Sequence, residues 1–269
     1  MITPLNQRWR KHRASYRPAG EPIQTRLYEV AEIADDATAR AYVVSNHYSR
    51  SYPSARRRFG LYRSAQLVGV AVFSHPSNDK TLTNIFIGTK ATDSVELGRF
   101  VLDDDVPGNG ESWFLARCRE IIRKDFIGLV SFSDDTPRTD AANNKIFSGH
   151  VGCVYQSSNA VYLSRGTARN VRLLPDGRVL SARAISKIRA GESGWKYASD
   201  ELTRFGASLA PEDNEERRVW LARWLSVLTR NLKHPGNHRY AWVFDKHYRL
   251  PASLPYPKLT LTQLQPVLF

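Results

Sequence analysis

One short stretch of this sequence carries most of its chemistry: Asn46-His47-Tyr48-Ser49-Arg50-Ser51-Tyr52-Pro53-Ser54-Ala55-Arg56-Arg57-Arg58. A histidine can move a proton near neutral pH, rings stack on bases, and arginines hold phosphates. An ordinary solvated basic face also looks like this, so the run gains weight only in company. Three further segments supply it. Glu96-Leu97-Gly98-Arg99-Phe100 sets two charges among apolar residues. Ser131-Phe132-Ser133-Asp134-Asp135 clusters polar groups after an apolar strand. Ser148 to Ala160 brings His150, Tyr155 and Asn159 together in a glycine-hinged loop. Ligands of open α/β sheets bind beyond the carboxyl ends of strands, which is where Asp134 falls. Asp134 could equally cap a turn ahead of Pro137, and His150 could be a plain hydrogen-bonded loop residue.

The elements that must position these groups read as follows. Leu27 to Ile33 predicts a strand and Asp35 to Val44 a helix opened by acidic residues. Phe59–Arg63 and Leu67–Ser74 predict a strand pair, extended by Leu82–Ile87 and Val95–Leu102. Glu111 to Phe126 is amphipathic, with Phe114, Cys118, Ile121 and Ile122 on one face. Ile127–Phe132 is strand-like, Asp140–Phe147 a short helix, and Val151–Tyr155 and Val161–Ser164 strands. Val171–Ser181 is a hairpin about Pro175-Asp176-Gly177. Helices are expected at 185–189, 194–205 and 215–233. The order gives a mixed α/β (α+β) plan with an antiparallel first half. Three regions result: a flexible basic arm over 1–25, a core over 26–182, and a helical basic extension over 183–269.

The net charge of +13 over 269 residues favours a polyanionic partner. No apolar run approaches the about 18 residues of a membrane span, and the basic N-terminus has no apolar stretch of a secretory signal behind it. Cys118 and Cys153 lack metal-ligand spacing, which points to free thiols in a reducing cytoplasm.

Taken in order, His47-Tyr48-Ser49, Glu96-Leu97-Gly98-Arg99, Ser131-Phe132-Ser133-Asp134 and Gly149-His150-Val151-Gly152 with Tyr155, Gln156 and Asn159 resemble the Mom DNA-modification proteins of phages, which have an N-acetyltransferase-like (GNAT) fold. The resemblance covers roughly residues 27 to 190. Pro235-Gly236-Asn237-His238-Arg239-Tyr240 is also similar to this group. The resemblance implies a GNAT-like mixed sheet flanked by helices and a transferase that gives adenine in DNA an N6-carbamoylmethyl (acetamido) group, shielding phage DNA from restriction in the host cytoplasm. It implies catalytic roles for His47, Tyr48, Arg99, Asp134, His150 and Tyr155, and substrate contacts from Ser49, Tyr52, Ser133 and Asn159. Arg50, Arg56, Arg57, Arg58, Lys233 and Arg239 would contact double-stranded DNA. It also implies iron, through Tyr48 and Asp134, whose oxygens are suitable ligands.

The sequence departs from ordinary GNAT enzymes before the long helix. There Asp105-Val106-Pro107-Gly108-Asn109-Gly110-Glu111-Ser112 stands where backbone amides would hold the pyrophosphate of acetyl-CoA, and Asp103, Asp104 and Asp105 would repel it. Acyl-CoA is thus disfavoured as donor, and aminoacyl-tRNA is compatible with the basic surface. Two alternatives stand beside DNA modification: a GNAT-fold acyl or aminoacyl transferase acting on RNA or protein, and a non-enzymatic nucleic-acid-binding accessory protein.

Overall fold

The computed structural model describes residues 5–258. They form two compact units, one of residues 5–135, 149–166 and 237–258, the other of residues 136–148 and 167–236. No helix among the described residues is long and apolar enough to cross a membrane.

The first unit begins with a hairpin of β1 (Leu5–Arg10) and β2 (Arg13–Pro18), followed by β3 (Tyr28–Glu32), α1 (Asp36–Asn46), β4 (Ala55–Arg63) and β5 (Gln66–Ser74). Then come α2 (Lys80–Thr83), β6 (Ser94–Leu102), α3 (Gly110–Ile122) and β7 (Gly128–Ser133). In the second unit lie a small hairpin of β8 (Arg138–Thr139) and β9 (Lys145–Phe147). The chain returns to the first unit for α4 (Cys153–Ser157) and β10 (Val161–Arg165). The rest of the second unit is β11 (Arg169–Leu173), β12 (Val179–Leu180), α5 (Ala182–Ala190), α6 (Trp195–Thr203), α7 (Asn214–Leu228) and β13 (Arg230–His234), and β14 (His238–Val243) ends the first.

The main sheet has seven strands in the order β10-β14-β7-β6-β5-β4-β3. Only β6 and β7 run parallel, joined through α3, as parallel neighbours require a crossover. This is the mixed α/β plan that the sequence implies. β5 is buried on both faces. Val70 and Val72 pack with Ala39 and Val43 of α1, while Ala71 and Phe73 join Phe114, Leu115, Cys118 and Ile122 of α3. Asp35 caps α1 by accepting from the Thr38 amide at 2.8 Å. β6 and β7 pair over only four residues, Ser94–Leu97 against Gly128–Ser131, and then part.

Several expectations are corrected. Residues 5–18 are an ordered hairpin rather than a flexible arm. Its turn, Lys11-His12, has both residues at positive φ, and the His12 amide donates to the Asn46 carbonyl at 2.8 Å. Arg8 is 2% exposed and donates to the carbonyls of Val106 at 2.5 Å, Asp103 at 2.8 Å and Pro107 at 3.0 Å. Its Nε lies 3.3 Å from the buried Glu111 carboxylate. Leu82–Ile87 is a helical turn and its approach, not a strand; Leu82, Ile85 and Phe86 still point into the core. Asp140–Phe147 is no helix, because the Asp140 carboxylate accepts from the amides of Ala142 and Asn144 and makes the β8–β9 turn. Val151–Tyr155 is not a strand; α4 occupies this stretch, entered by Gly152 in the left-handed region.

The C-terminal extension is also different from the one expected. α7 stops at Leu228, and β13 follows as an edge of the three-stranded sheet β12-β11-β13. α5, α6 and α7 pack around Leu180, Ile188, Leu202, Trp220, Leu221 and Leu225. Residues 238–243 are not appended to the core; β14 lies between β10 and β7 within its main sheet.

Arg56, Arg57 and Arg58 lie on β4 rather than in an exposed loop. Arg57 pairs with Glu32 and Asp125, and Arg58 with Asp36. Arg56 donates to the Ser94 carbonyl at 3.0 Å and lies over the Phe126 ring. Their charges are engaged in ties within the unit rather than forming a free solvated run.

Two stability measurements follow from the Arg8–Glu111 pair. Arg8→Met strands a buried carboxylate and several carbonyls and is expected to cost about 3–5 kcal/mol in denaturant unfolding; a loss below about 1 kcal/mol would contradict this. Burial pushes Glu111 from 4.5 up to about 7, against the pull of Arg8. The folded state therefore binds the extra proton between these values, so this group's contribution to stability falls as pH rises from 4.5 to about 7 and is flat above. Glu111→Gln is expected to remove that part of the pH dependence, and an unchanged profile would contradict it.

Candidate active site

Beyond the point where β6 and β7 part lies a pocket of about 210 Å³. Gln7, Arg8 and Trp9 of β1 line it, with His47 and Tyr48 after α1, Glu96 to Leu102 of β6, and Glu111 of α3. Phe132 and Asp134 line it from the end of β7, joined by His150, Val154, Tyr155 and Asn237. All six residues to which the sequence assigns catalysis, His47, Tyr48, Arg99, Asp134, His150 and Tyr155, border this one cavity.

The loop carrying Tyr48 is held from β6. Arg99 donates through Nε to the Ser51 carbonyl at 2.9 Å and through Nη2 to Ser51 Oγ at 2.7 Å. Ser51 Oγ reaches Ser49 Oγ, which lies 2.8 Å from His47 Nδ1. Gly98 permits the loop's approach, since a Cβ there would meet Ser74 Oγ at 2.3 Å and Pro53 at 3.1 Å. Arg99 is therefore a fastener of the loop that carries Tyr48 as well as a cationic part of the pocket wall.

His47 has a defined protonation state. It is buried, and burial, followed by the charges of Arg99, His150 and His12, holds it well below the ordinary histidine range. The Ser49 amide donates to Nδ1 at 3.1 Å, so Nδ1 carries the lone pair and the neutral ring's proton sits on Nε2. His47 is thus a hydrogen-bond donor at neutral pH.

Two adjacent carboxylates at the end of β7 have different tasks. Asp135 accepts from Arg165 at 2.9 Å, and its carboxylate lies 3.2 Å from His238 Nε2. Burial alone would raise its pKa, but His238 and Arg165 hold it far below the usual carboxylate range. His238 Nδ1 in turn meets the Tyr162 hydroxyl at 2.9 Å. This network fixes the strand end, and Asp134 is the carboxylate that lines the pocket. The Asp134 carbonyl accepts from the His150 amide at 2.7 Å, which joins the two candidate segments. Burial pushes Tyr155 up to about 12, so it keeps its proton at neutral pH. Burial also raises the Glu96 carboxyl above its ordinary range, against the charges of Arg99 and His75.

The proposed substrate contacts are not gathered here. Ser49 is engaged with His47. The Tyr52 hydroxyl donates to Asp36 at 3.0 Å and its ring lies under Arg40, tying the loop to α1. Ser133 alternates with Phe132 and Asp134 and so faces away from the cavity. Asn159 is the exposed left-handed residue after α4, a position that asparagine tolerates. Arg50 is exposed. Arg239 is tied to Ser164 on β10, whereas Lys233 is exposed on β13 in the other unit.

The sequence reading missed the contribution of the N-terminal hairpin. The Trp9 ring centroid lies 4.5 Å from that of Tyr48, 6.4 Å from His47 and 6.3 Å from His150. The signal was present as two short alternating segments flanking Lys11-His12, but without the Asn-Gly or Asp-Gly that marks a tight hairpin. Glu96 and Asn237 were within quoted segments and were given no role.

For iron, the donors bordering the pocket are Tyr48, Asp134, His47 and His150. His47 Nδ1 is already occupied, and among the described residues no group of three or more His, Cys, Asp or Glu side chains is placed to share an ion. This arrangement does not amount to a formed iron site.

The loop before α3 is also occupied from within. The Gly108 amide donates to the Glu21 carboxylate at 3.1 Å, and the Asn109 amide to the Glu21 carbonyl at 3.0 Å. Arg17 holds that carboxylate at 2.8 Å. A protein carboxylate thus takes an amide that a bound pyrophosphate would use.

Comparison with known proteins places these features in a family. The family model of the Mom proteins matches residues 27–259. The methylcarbamoylase Mom of Escherichia phage Mu is 28% identical over 125 residues, which is 45% of this chain and 47% of the relative. The match therefore spans about half of that relative's length. A tandem GNAT protein from the clavulanic acid biosynthesis pathway overlaps with a TM-score of 0.36 at 11% identity, over 72% of this chain and 66% of its own. A Pyrococcus horikoshii protein assigned as an acetyltransferase overlaps with a TM-score of 0.38 at 10% identity, over 86% of this chain and 94% of its own. The family match extends over most of the sequence and through every pocket segment except the N-terminal hairpin: this chain belongs to the Mom protein family.

Proposed function

We propose that this protein is a DNA-modifying transferase that converts adenine to an N6-carbamoylmethyl derivative and so protects phage DNA from restriction. The observation that carries the reading is the convergence of Tyr48, Asp134, His47, His150, Arg99 and Tyr155 on one small pocket in a Mom-family chain. At about 210 Å³ the cavity is below the about 300–1,000 Å³ typical of drug-sized ligands, and suits one ring system rather than a whole nucleotide cofactor. A duplex base reaches such a site by flipping out of the stack.

The N6 amine is conjugated with the purine ring and needs help as a nucleophile. In the reaction the bond from N6 to the donor's carbon forms, and the bond from that carbon to the leaving group breaks with its electron pair. N6 loses one proton, which Asp134 accepts. The Nε2–H of His47 and the Tyr155 hydroxyl are donors for the negative charge that develops on the departing group. Arg99 keeps Tyr48 in place through Ser51. The donor enters from outside the small pocket. The engagement of Gly108 and Asn109 by Glu21 supports a donor other than acyl-CoA, and the product requires one whose methylene carbon carries the leaving group, since an aminoacyl ester would acylate N6 instead.

Mass analysis of nucleosides from DNA of cells expressing the protein tests this reading directly. A modified deoxyadenosine is expected. Modified tRNA or protein with unmodified DNA would favour an RNA- or protein-directed transferase, and no modification would favour an accessory binding protein. Tyr48→Phe and Asp134→Ala are each expected to abolish the product while the protein stays folded; a variant that retains product removes its residue from the site.

We also assign the phosphate-holding role to exposed cations of the helical unit, Arg189, Arg223 and Lys233, in place of Arg56, Arg57 and Arg58. Replacing all three with Ala is expected to weaken duplex binding and reduce the slope of log K against log salt by about 0.9 per lost contact. An unchanged slope would contradict the assignment.

A further inference from the structure

Two residues that border the pocket each carry a polar atom with no use in the chemistry above. Gln7 Nε2 and Asn237 Oδ1 are both buried, and neither has a hydrogen-bond partner among the described residues. Both residues border the same cavity, Gln7 from β1 and Asn237 from the entry to β14. One is a donor and the other an acceptor. Buried polar atoms are almost always paired, and an orphaned donor and acceptor in one small cavity are explained if a ligand completes them.

We propose that Gln7 and Asn237 read the edge of the flipped base, with Trp9 as its aromatic wall. The inference rests on the reading of the pocket as a base-modification site. Adenine presents an exocyclic amine donor beside a ring-nitrogen acceptor, the pattern that side-chain amides recognise. Asn237 Oδ1 accepts one N6 hydrogen, which fixes the amine while its other proton faces removal. Gln7 Nε2 donates to the neighbouring ring nitrogen. Guanine and thymine place a carbonyl oxygen where the amine would be, and Asn237 Oδ1 repels it. Trp9, 7% exposed and 4.5 Å from Tyr48 between ring centroids, gives the base an apolar face to lie against. Gln7 and Trp9 both precede the segment that matches the family model, so the N-terminal hairpin supplies a recognition element to a site otherwise built from the matched residues.

The test uses the full-length chain expressed in cells, with nucleoside mass analysis of the DNA and salt-dependent binding of a plain duplex by the purified variants. Gln7→Glu replaces the donor with an acceptor of the same shape, and Asn237→Leu removes the acceptor at similar volume. Each is expected to lower the modified nucleoside by about tenfold or more, from the loss of one base-edge contact. Duplex affinity and its salt slope should stay within about twofold of the parent, because phosphate contacts are untouched. Trp9→Phe should keep most of the product, and Trp9→Leu, apolar but without a ring face, should not. Product within about twofold of the parent in Gln7→Glu and Asn237→Leu would overturn the proposal. So would a fall in duplex affinity matching the fall in product, since the residues would then support the fold or the backbone contacts. A modified cytidine as the sole product would overturn the commitment to adenine. If the parent protein itself yields no modified nucleoside, the DNA-modification reading fails first, and that result is distinct from a parent that works and variants that do too.

Discussion

The parting of β6 and β7 is the constraint on which the site depends. The two strands pair through Leu97 and Ser131 and no further. From Gly98 onward β6 keeps its antiparallel bonds to β5 on one side and loses β7 on the other. A sheet opened in this way exposes backbone and side chains that must meet something else. Gly98, Arg99 and the rest of β6 form one wall of the resulting cavity, and Phe132 and Asp134 continue from β7 to form another. Tyr155 closes it from α4. Arg99 and Tyr155 are thus set on a strand and a helix and Asp134 just past a strand end, while His47, Tyr48 and His150 come from loops fastened to this sheet.

The buried Arg8 is what joins the N-terminal hairpin to this opening. One guanidinium meets the carbonyls of Asp103, Val106 and Pro107 and the Glu111 carboxylate. The hairpin packs tightly at the same loop, where a Cβ on Gly108 would meet the Pro18 carbonyl at 2.3 Å. The acidic run Asp103-Asp104-Asp105 looks repulsive in sequence, but its side chains are shared out: Asp103 accepts from Tyr42 at 2.5 Å, Asp104 from Ser15 at 2.6 Å, and Asp105 pairs with Arg63. The acids are structural anchors for the hairpin and for α1, and the loop is closed by the protein's own groups.

Much of this was legible in the sequence where local pattern and tertiary structure agree. The apolar run of β5, the amphipathic α3 and the acidic start of α1 all appear as their composition indicates. The grouping of His47, Glu96, Asp134 and His150 was legible only through their resemblance to a family, since no spacing rule brings four distant segments together. The failures have physical causes. Lys11-His12 makes a tight turn without glycine or asparagine, with its tip bonded to Asn46 and Val44. Asp140 folds the chain back through its own carboxylate, and no helical period could reveal this. Arg56, Arg57 and Arg58 look like a solvated basic run but find Glu32, Asp36, Asp125 and Ser94 in the fold. His238 and Tyr240 sit in a basic tail by composition and in the middle of the sheet by pairing.

The central claim is that a DNA base enters the cavity between β6, the end of β7 and the N-terminal hairpin. Photocrosslinking with duplex DNA carrying 8-azidoadenine, followed by mass spectrometry of the attached peptides, tests it most directly. The account predicts label on the peptide containing Trp9 and on the one containing His47 and Tyr48, lost when unmodified duplex competes. Label confined to the helical unit, with none on either pocket peptide, would contradict it.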